Sequence, residues 1–222
     1  MFCAVIVAAG SSRRAGFDKL AALLDGVPVL RRSVDAFVEA GAAAVVVVCP
    51  SSRWEETGLS CASFPVPVWR VDGGAERQDS VAAGLAVLPE GTQLVAVHDG
   101  ARPLVTPEDI RQCVAAAEAS GAAACAHPVV DTLKRADADG RSLAEPVSRE
   151  NLWGMETPQI FSLDLLLKAY RCVAEQGRVV TDEVSAMEAI GVATQLVRVG
   201  TNLKITLPGD LELAELIWRH RP

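Results

Sequence analysis

The sequence predicts an α/β fold: a doubly wound, mostly parallel sheet with helices on both faces and a projecting β-arm. Three observations carry that expectation. Short β-branched runs recur that are too apolar for half-exposed strands. Helical patterns separate them. One polar stretch late in the chain breaks the alternation.

The first strand is read at Val5-Ile6-Val7. The start of the chain could pass for a signal peptide, but no basic segment precedes its apolar run, and Arg13 and Arg14 follow it. Further strands are expected at residues 45–48, 66–71 and 94–97, each an apolar run suited to burial on both faces. Between the first two, Val29, Leu30, Val34, Phe37 and Val38 fall on one helical face, with Arg31, Asp35 and Glu39 opposite. A second helix is expected over residues 76–88. A third starts at Thr106-Pro107-Glu108-Asp109, an N-cap followed by proline at the first helical position. The last begins after Leu207-Pro208 and carries Leu211, Ala214 and Ile217 along one side.

Residues 131–151 are the exception. They are polar, and Asp139-Gly140 is a hairpin-turn signal. Two readings stand: a solvated loop, or an arm that gains its burial from a second subunit. No repeat or linker divides the chain, so residues 1–222 are expected to form a single domain with the arm at about residues 130–151.

Composition narrows the function. Half of the 222 residues are hydrophobic, which excludes a disordered chain. Lys+Arg 21 against Asp+Glu 28 gives a net charge of −7, which speaks against nucleic acid and against a basic membrane surface as partners. No apolar stretch reaches the roughly 18 residues of a spanning helix. The six cysteines have neither disulfide nor zinc-site spacing, so reduced thiols and a cytoplasmic location are expected.

A net negative charge leaves small anions open, because a site needs only a few well-placed cations. Ala8-Ala9-Gly10-Ser11-Ser12-Arg13-Arg14 follows the first strand, and Lys19 lies five residues further on. Small residues let the backbone approach a nucleotide, and three cations within seven residues suit a triphosphate. The segment matches neither common glycine-rich phosphate loop. The second constellation is His98-Asp99-Gly100-Ala101-Arg102-Pro103 at the end of the fourth strand. A carboxylate there suits a magnesium–phosphate site, since magnesium takes one or two carboxylates and fills its shell with phosphate and water. The structural alternative is a turn capped by Asp99 and paired with Arg102, and His98 reads as a hydrogen-bonded structural residue. Thr181-Asp182-Glu183 reads as a helix start with threonine as the cap. Lys204, within Leu203-Lys204-Ile205-Thr206, reads either as an outward-facing strand residue, which the run alone favours, or as a cation aimed into a ligand cleft.

Seven segments in series, AAGSSRR, GGAERQDSVAAGL, VHDGARP, VVDTLKR, LWGMETPQIF, VTDEVSAMEAIG and TNLKITLPGDLELAE, resemble the 2-C-methyl-D-erythritol 4-phosphate cytidylyltransferase family from Ala4 to about Glu215. The resemblance implies a Rossmann-like nucleotidyltransferase fold and transfer of CMP from CTP to a small sugar-alcohol phosphate. It implies that Arg14 and Lys19 stabilise the transition state, and that Ala8, Ala9, Gly10, Ser11, Gly74, Ser80 and Gly100 hold the nucleotide. Asp99 would position Mg2+ or another divalent cation. Arg149 and Lys204 would grip the acceptor phosphate, assisted by Thr132, Arg102 and Thr181. The same resemblance implies a homodimer formed by arm exchange.

Two departures from the family pattern bear on the site. Relatives commonly have a longer loop ending Pro-Lys-Gln; this chain is shorter and reads Asp18-Lys19-Leu20. A carboxylate at position 18 repels phosphate unless magnesium or arginine offsets it. The usual HDAARP reads HDGARP, which adds backbone freedom at Gly100. Alternatives are a pentitol-phosphate cytidylyltransferase, a molybdenum-cofactor nucleotidyltransferase whose opening motif is similar, and a nucleotide-binding regulatory module without catalysis.

Overall fold

The structure is a computed structural model that describes residues 1–10 and 17–221. The chain begins with β1 (Phe2–Val7), a small ribbon of β2 (Leu23–Leu24) and β3 (Val27–Pro28), then α1 (Val29–Glu39) and β4 (Val45–Val48). It continues through α2 (Ser51–Glu56), β5 (Val68–Val71), α3 (Arg77–Leu85), β6 (Leu94–Asp99) and α4 (Pro107–Ser120). There follow β7 (Ala122–Pro128), β8 (Leu133–Ala136), β9 (Leu143–Val147) and β10 (Trp153–Ser162). The remainder is α5 (Leu163–Glu175), α6 (Glu183–Glu188), β11 (Gln195–Arg198) and α7 (Gly209–Arg219).

The main sheet has the order β11-β7-β10-β6-β1-β4-β5, and β10 is its antiparallel member. Alternation along β1 divides the core. Ala4 and Ile6 pack on one face with Leu30, Val34 and Phe37 of α1 and Ile110 of α4. Val5 packs on the other with Val81 of α3, Leu166 of α5 and Met187 of α6. Both faces are covered, so the strands read as continuous apolar runs. Val7 pairs with Val48 and Asp99, and Val48 with Val71. Four parallel strands thus end in register, and the segments that follow them open along one edge. Open α/β sheets bind their ligands at this edge.

Most expected elements appear with adjusted ends. The strand at 66–71 begins at Val68, and the one at 94–97 runs on to Asp99. The helix expected over 76–88 is α3, with Glu76 as N-cap in a reciprocal capping box with Asp79. Thr106 caps α4 as expected. The cap of α6 is Asp182, not Thr181: its carboxylate accepts from Ser185 N at 3.0 Å, a reach that Thr181, one residue earlier, lacks. Residues 201–206 form no strand, so the strand reading of Lys204 fails with it.

Residues 133–147 form a two-stranded ribbon separate from the main sheet, turning at Gly140 with φ +72°. The turn requires that left-handed conformation, which glycine adopts without a Cβ penalty. Leu143 is 74% exposed and Val130, at the arm's base, 76%. The segment is a paired ribbon rather than a loop, with Leu143 and Val130 turned outward and Leu133 and Val147 half-buried. The cysteines are free, four of them buried. Among the described residues no helix is long and apolar enough to cross a membrane.

Candidate active site

The segment after β1 starts at the sheet edge, where Ala8 N donates to Val48 O at 2.8 Å. The segment after β5 lies against it. A Cβ on Gly73 would stand 2.5 Å from Ala9 Cβ and 2.8 Å from Ser80 Oγ, so only glycine permits that approach. Gly74 N donates to Ser80 Oγ at 3.2 Å, and the Ser80 hydroxyl donates to Glu76 O. Gly73 thus brings Ala9 and Ser80 together, with Gly74 bonded to the same hydroxyl and Ala8 next in the chain. Gly100, the residue after β6, joins them: a Cβ there would meet Leu30 Cδ1 at 2.7 Å and Ala8 Cβ at 3.4 Å. Its φ lies outside the left-handed region, so this glycine provides room against α1 rather than backbone freedom. Ser11, Arg13 and Arg14 lie outside the described residues.

Asp99, the last residue of β6, lies at the sheet edge beside the segments that follow β1 and β5, and this edge is the candidate cleft. Lys204 Nζ donates to Asp99 Oδ2 at 2.6 Å. Arg77 Nε approaches Oδ1 at 3.5 Å, and Arg102 Nε lies 3.8 Å from Oδ2. Burial alone would raise the carboxyl pKa, but Lys204 and Arg77, with Arg102, hold it well below the usual carboxylate range. Asp99 is ionised and gathers cations from three separate parts of the chain. Lys204 thus points into the cleft, against its strand-like reading, because the irregular backbone at 201–206 frees it from alternation. Lys19 Nζ donates to Ile205 O at 2.7 Å, so the two lysines are anchored one residue apart.

Two neighbours fix the end of β6. Thr157, in the register shift of β10 between Met155 and Gln159, accepts from Asp99 N at 3.0 Å. Its Oγ1 also lies 3.1 Å from His98 Nδ1. His98 Nε2 is 3.2 Å from Arg102 O, a carbonyl that can only accept. The ring proton therefore sits on Nε2, and the Thr157 hydroxyl donates to Nδ1. Full burial lowers the His98 pKa to about 3, so the ring is neutral. With both nitrogens engaged, His98 is the structural residue its sequence setting suggests.

Arg77 and Glu183 are the residues that sequence reasoning missed. Arg77 forms a fork on the fully buried Glu183 at 2.6 and 2.9 Å, and the Tyr170 hydroxyl donates to the same carboxylate at 3.0 Å. This ties the start of α6 to Asp99. Thr181 stands exposed two residues before Glu183, at the margin of that link. The available signal was an arginine in the first turn of α3, where the helix dipole disfavours a cation.

Arg102 is held by Asn202 O at 2.7 Å, while its buried Nε has no hydrogen-bond partner among the described residues. Buried Glu156 Oε2 and Asn202 Oδ1 are likewise without one. The arm residues are elsewhere. Thr132 and Arg149 are exposed, and the Arg149 guanidinium donates to Val130 O. Within one chain, no described hydrogen bond or ion pair joins them to Asp99.

The cleft fits a small anion approached by cations, with no described serine, cysteine or histidine placed as a nucleophile. Residues 2–220 match the family profile described as 2-C-methyl-D-erythritol 4-phosphate cytidylyltransferase. The enzyme of that name from Synechococcus elongatus is 41% identical over 223 residues, covering 98% of this chain and 96% of its own. That from Caldanaerobacter subterraneus subsp. tengcongensis is also 41% identical, covering 97% and 98%. A crystal structure of the Thermus thermophilus enzyme of the same name superposes with a TM-score of 0.80 at 32% identity, covering 99% of this chain and all of the other.

Proposed function

The chain belongs to the 2-C-methyl-D-erythritol 4-phosphate cytidylyltransferase family, and from that membership we propose how its own residues divide the work. It transfers CMP from CTP to 2-C-methyl-D-erythritol 4-phosphate and releases pyrophosphate, in isoprenoid precursor synthesis. An oxygen of the acceptor phosphate attacks the α-phosphorus, and the bond to the bridging oxygen of the β-phosphate breaks. With a second pKa near ~6 the acceptor phosphate is largely dianionic at neutral pH and needs no general base. Positioning and preorganised positive charge are then the protein's main contributions.

In this reading Arg14 and Lys19 stabilise charge at the transferring phosphorus, and Ala8, Ala9, Gly10, Ser11, Gly74, Ser80 and Gly100 hold the nucleotide. Lys204, Arg102 and Thr181 receive the acceptor phosphate beside Asp99. Arg149 and Thr132 reach the same phosphate from the arm of a second copy, in a homodimer. The outward Leu143 and Val130 support that exchange, since one chain leaves them uncovered. The free, mostly buried cysteines support a cytoplasmic location.

The divalent cation must suit this donor set. Among the described residues no cluster of three His, Cys, Asp or Glu could hold a metal. Asp99 offers one carboxylate that three cations already surround, which disfavours a resident ion. It fits magnesium arriving with the triphosphate, for which one protein carboxylate suffices beside phosphate and water ligands. Asp99 would be the protein's contribution, and the ion would offset charge on the triphosphate.

The observation that carries the assignment is the contact of Lys204 with Asp99, beside the anchor of Lys19. The test is pyrophosphate release with magnesium, each of the four nucleoside triphosphates, and a panel of sugar and polyol phosphates. Turnover should require CTP and fall sharply for every acceptor except 2-C-methyl-D-erythritol 4-phosphate. Calorimetry should show magnesium binding only when CTP is present. Equal use of a pentitol phosphate, or tight magnesium binding without nucleotide, contradicts the scheme.

A further inference from the structure

One buried charge beside the cleft has no part in the scheme above. Arg53, on α2, lies beneath the segment that follows β1 and is 7% exposed. Its Nη1 donates to Ala8 O at 2.5 Å and to Gly10 O at 3.2 Å. Its Nε and Nη2 donate to Asp18 Oδ2 at 3.2 and 3.1 Å. The other carboxylate oxygen of Asp18 accepts from Leu20 N at 3.1 Å, across the turn that carries Lys19. One guanidinium therefore holds both flanks of residues 11–16.

The chemistry of the pair is specific. A carboxylate one residue before a phosphate-binding lysine would repel a triphosphate. Here a partly buried cation neutralises it from the protein side. Only a planar fork can serve two carbonyls and a carboxylate at once; the ammonium of lysine is a point charge on a flexible stem. Arg53 itself is fixed, because α2 starts just after β4 reaches the sheet edge, and Thr57 Oγ1 donates to Arg53 O at 2.7 Å.

We propose that Arg53 is a positioning residue for nucleotidyl transfer. By clamping Ala8 and Gly10 on one side and Asp18 on the other, it fixes the span of the nucleotide segment and where Lys19 meets the triphosphate. The inference rests on the role given to Lys19 above. It also accounts for Asp18: in this chain, with its short loop, the aspartate is the clamp's anchor and not a stray charge at the phosphates.

The test compares Asp18→Asn, Arg53→Lys, the double variant and Lys19→Ala. CTP and acceptor are varied separately, and melting temperatures are measured alongside. Asp18→Asn and Arg53→Lys should each lower kcat/KM for CTP by about tenfold, the scale expected of a small misplacement at a phosphoryl-transfer centre. KM for the acceptor should stay within about twofold. The double variant should be no worse than the poorer single one, because both break one clamp. Asp18 is partly exposed, so Asp18→Asn keeps the test decisive if Arg53→Lys does not fold. Unchanged kinetics in CTP for Asp18→Asn, with Lys19→Ala inactive, overturns the clamp. Losses that multiply in the double variant overturn it too. Full activity of Lys19→Ala would instead overturn the role of Lys19 on which the clamp depends.

Discussion

Asp99 and Arg149 belong to the same proposed acceptor site, yet the chain holds them in opposite ways. The Asp99 side chain is 13% exposed and faces Lys204, Arg77 and Arg102, which come from the loop after β11, from α3 and from the turn after β6. Arg149 is exposed just past the ribbon, on an arm where Leu143 and Val130 also face outward, and the backbone carbonyl of Val130 receives its guanidinium. One chain can preorganise only the Asp99 half of these electrostatics. In the cleft, the charges are set before substrate arrives, so little reorganisation remains for the reaction. In the arm, one chain supplies a paired ribbon but leaves Leu143 and Val130 exposed, and among the described residues it sets no opposing charge beside Arg149.

The sharpest way to break that contrast is to empty one side of the buried network. Arg77→Met leaves the buried Glu183 carboxylate without a cation and with only the Tyr170 hydroxyl, which should cost about 3–5 kcal/mol of unfolding free energy in urea titrations. Arg149→Met on the arm should shift the same quantity by no more than about 0.5 kcal/mol. Comparable losses at the two positions would erase the distinction. Lys204→Ala comes next in size. Its kcat/KM for the acceptor should fall about 100-fold, the scale of one lost transition-state donor, while CTP affinity stays within about threefold. Collapse of CTP affinity with intact acceptor use would reassign Lys204 to the nucleotide.

The smallest effect is a slope. The His98 pKa is about 3 in the fold against about 6.5 unfolded, so between those values the unfolded chain binds the extra proton. Stability should fall as pH drops from about 6.5 toward 3, by up to about 1.4 kcal/mol per pH unit from this group. Asp99 acts at the lower end: its depressed pKa contributes stability above about 3.9 that is lost on further acidification. His98→Gln should flatten the slope between pH 4 and 6 and leave the steeper acid loss in place. An unchanged slope would mean that His98 is not held neutral.

The same contrast marks what could be read in the sequence. Buried parallel strands announce themselves as Val45–Val48 does, and the arm announces itself by polarity and Asp139-Gly140. β7 escaped because AAACAHP is mostly alanine, a weak strand former, and β10 because Pro158 and Glu156 interrupt its run. Asp99, Arg102 and Lys204 were found through motifs. Local pattern alone misplaced Lys204, because nothing in residues 203–206 shows that their backbone is irregular. Arg53 has no signal in its own neighbourhood, and Arg77 only its unfavourable place in the first turn of α3. Their partners, Asp18 and Glu183, stand 35 and 106 residues away, and only folding brings them together.

If the arm of one subunit completes the cleft of another, the proposed roles of Arg14 and Arg149 lie on different chains of each cleft. Inactive Arg14→Ala and Arg149→Ala chains can be mixed under conditions in which subunit exchange is verified by mass. In half of the dimers one cleft would then hold both mutations and the other neither. Activity should recover to about a quarter of the wild-type value, as two-fold symmetric pairing requires. No recovery, with exchange proven, would contradict an arm that reaches across the interface.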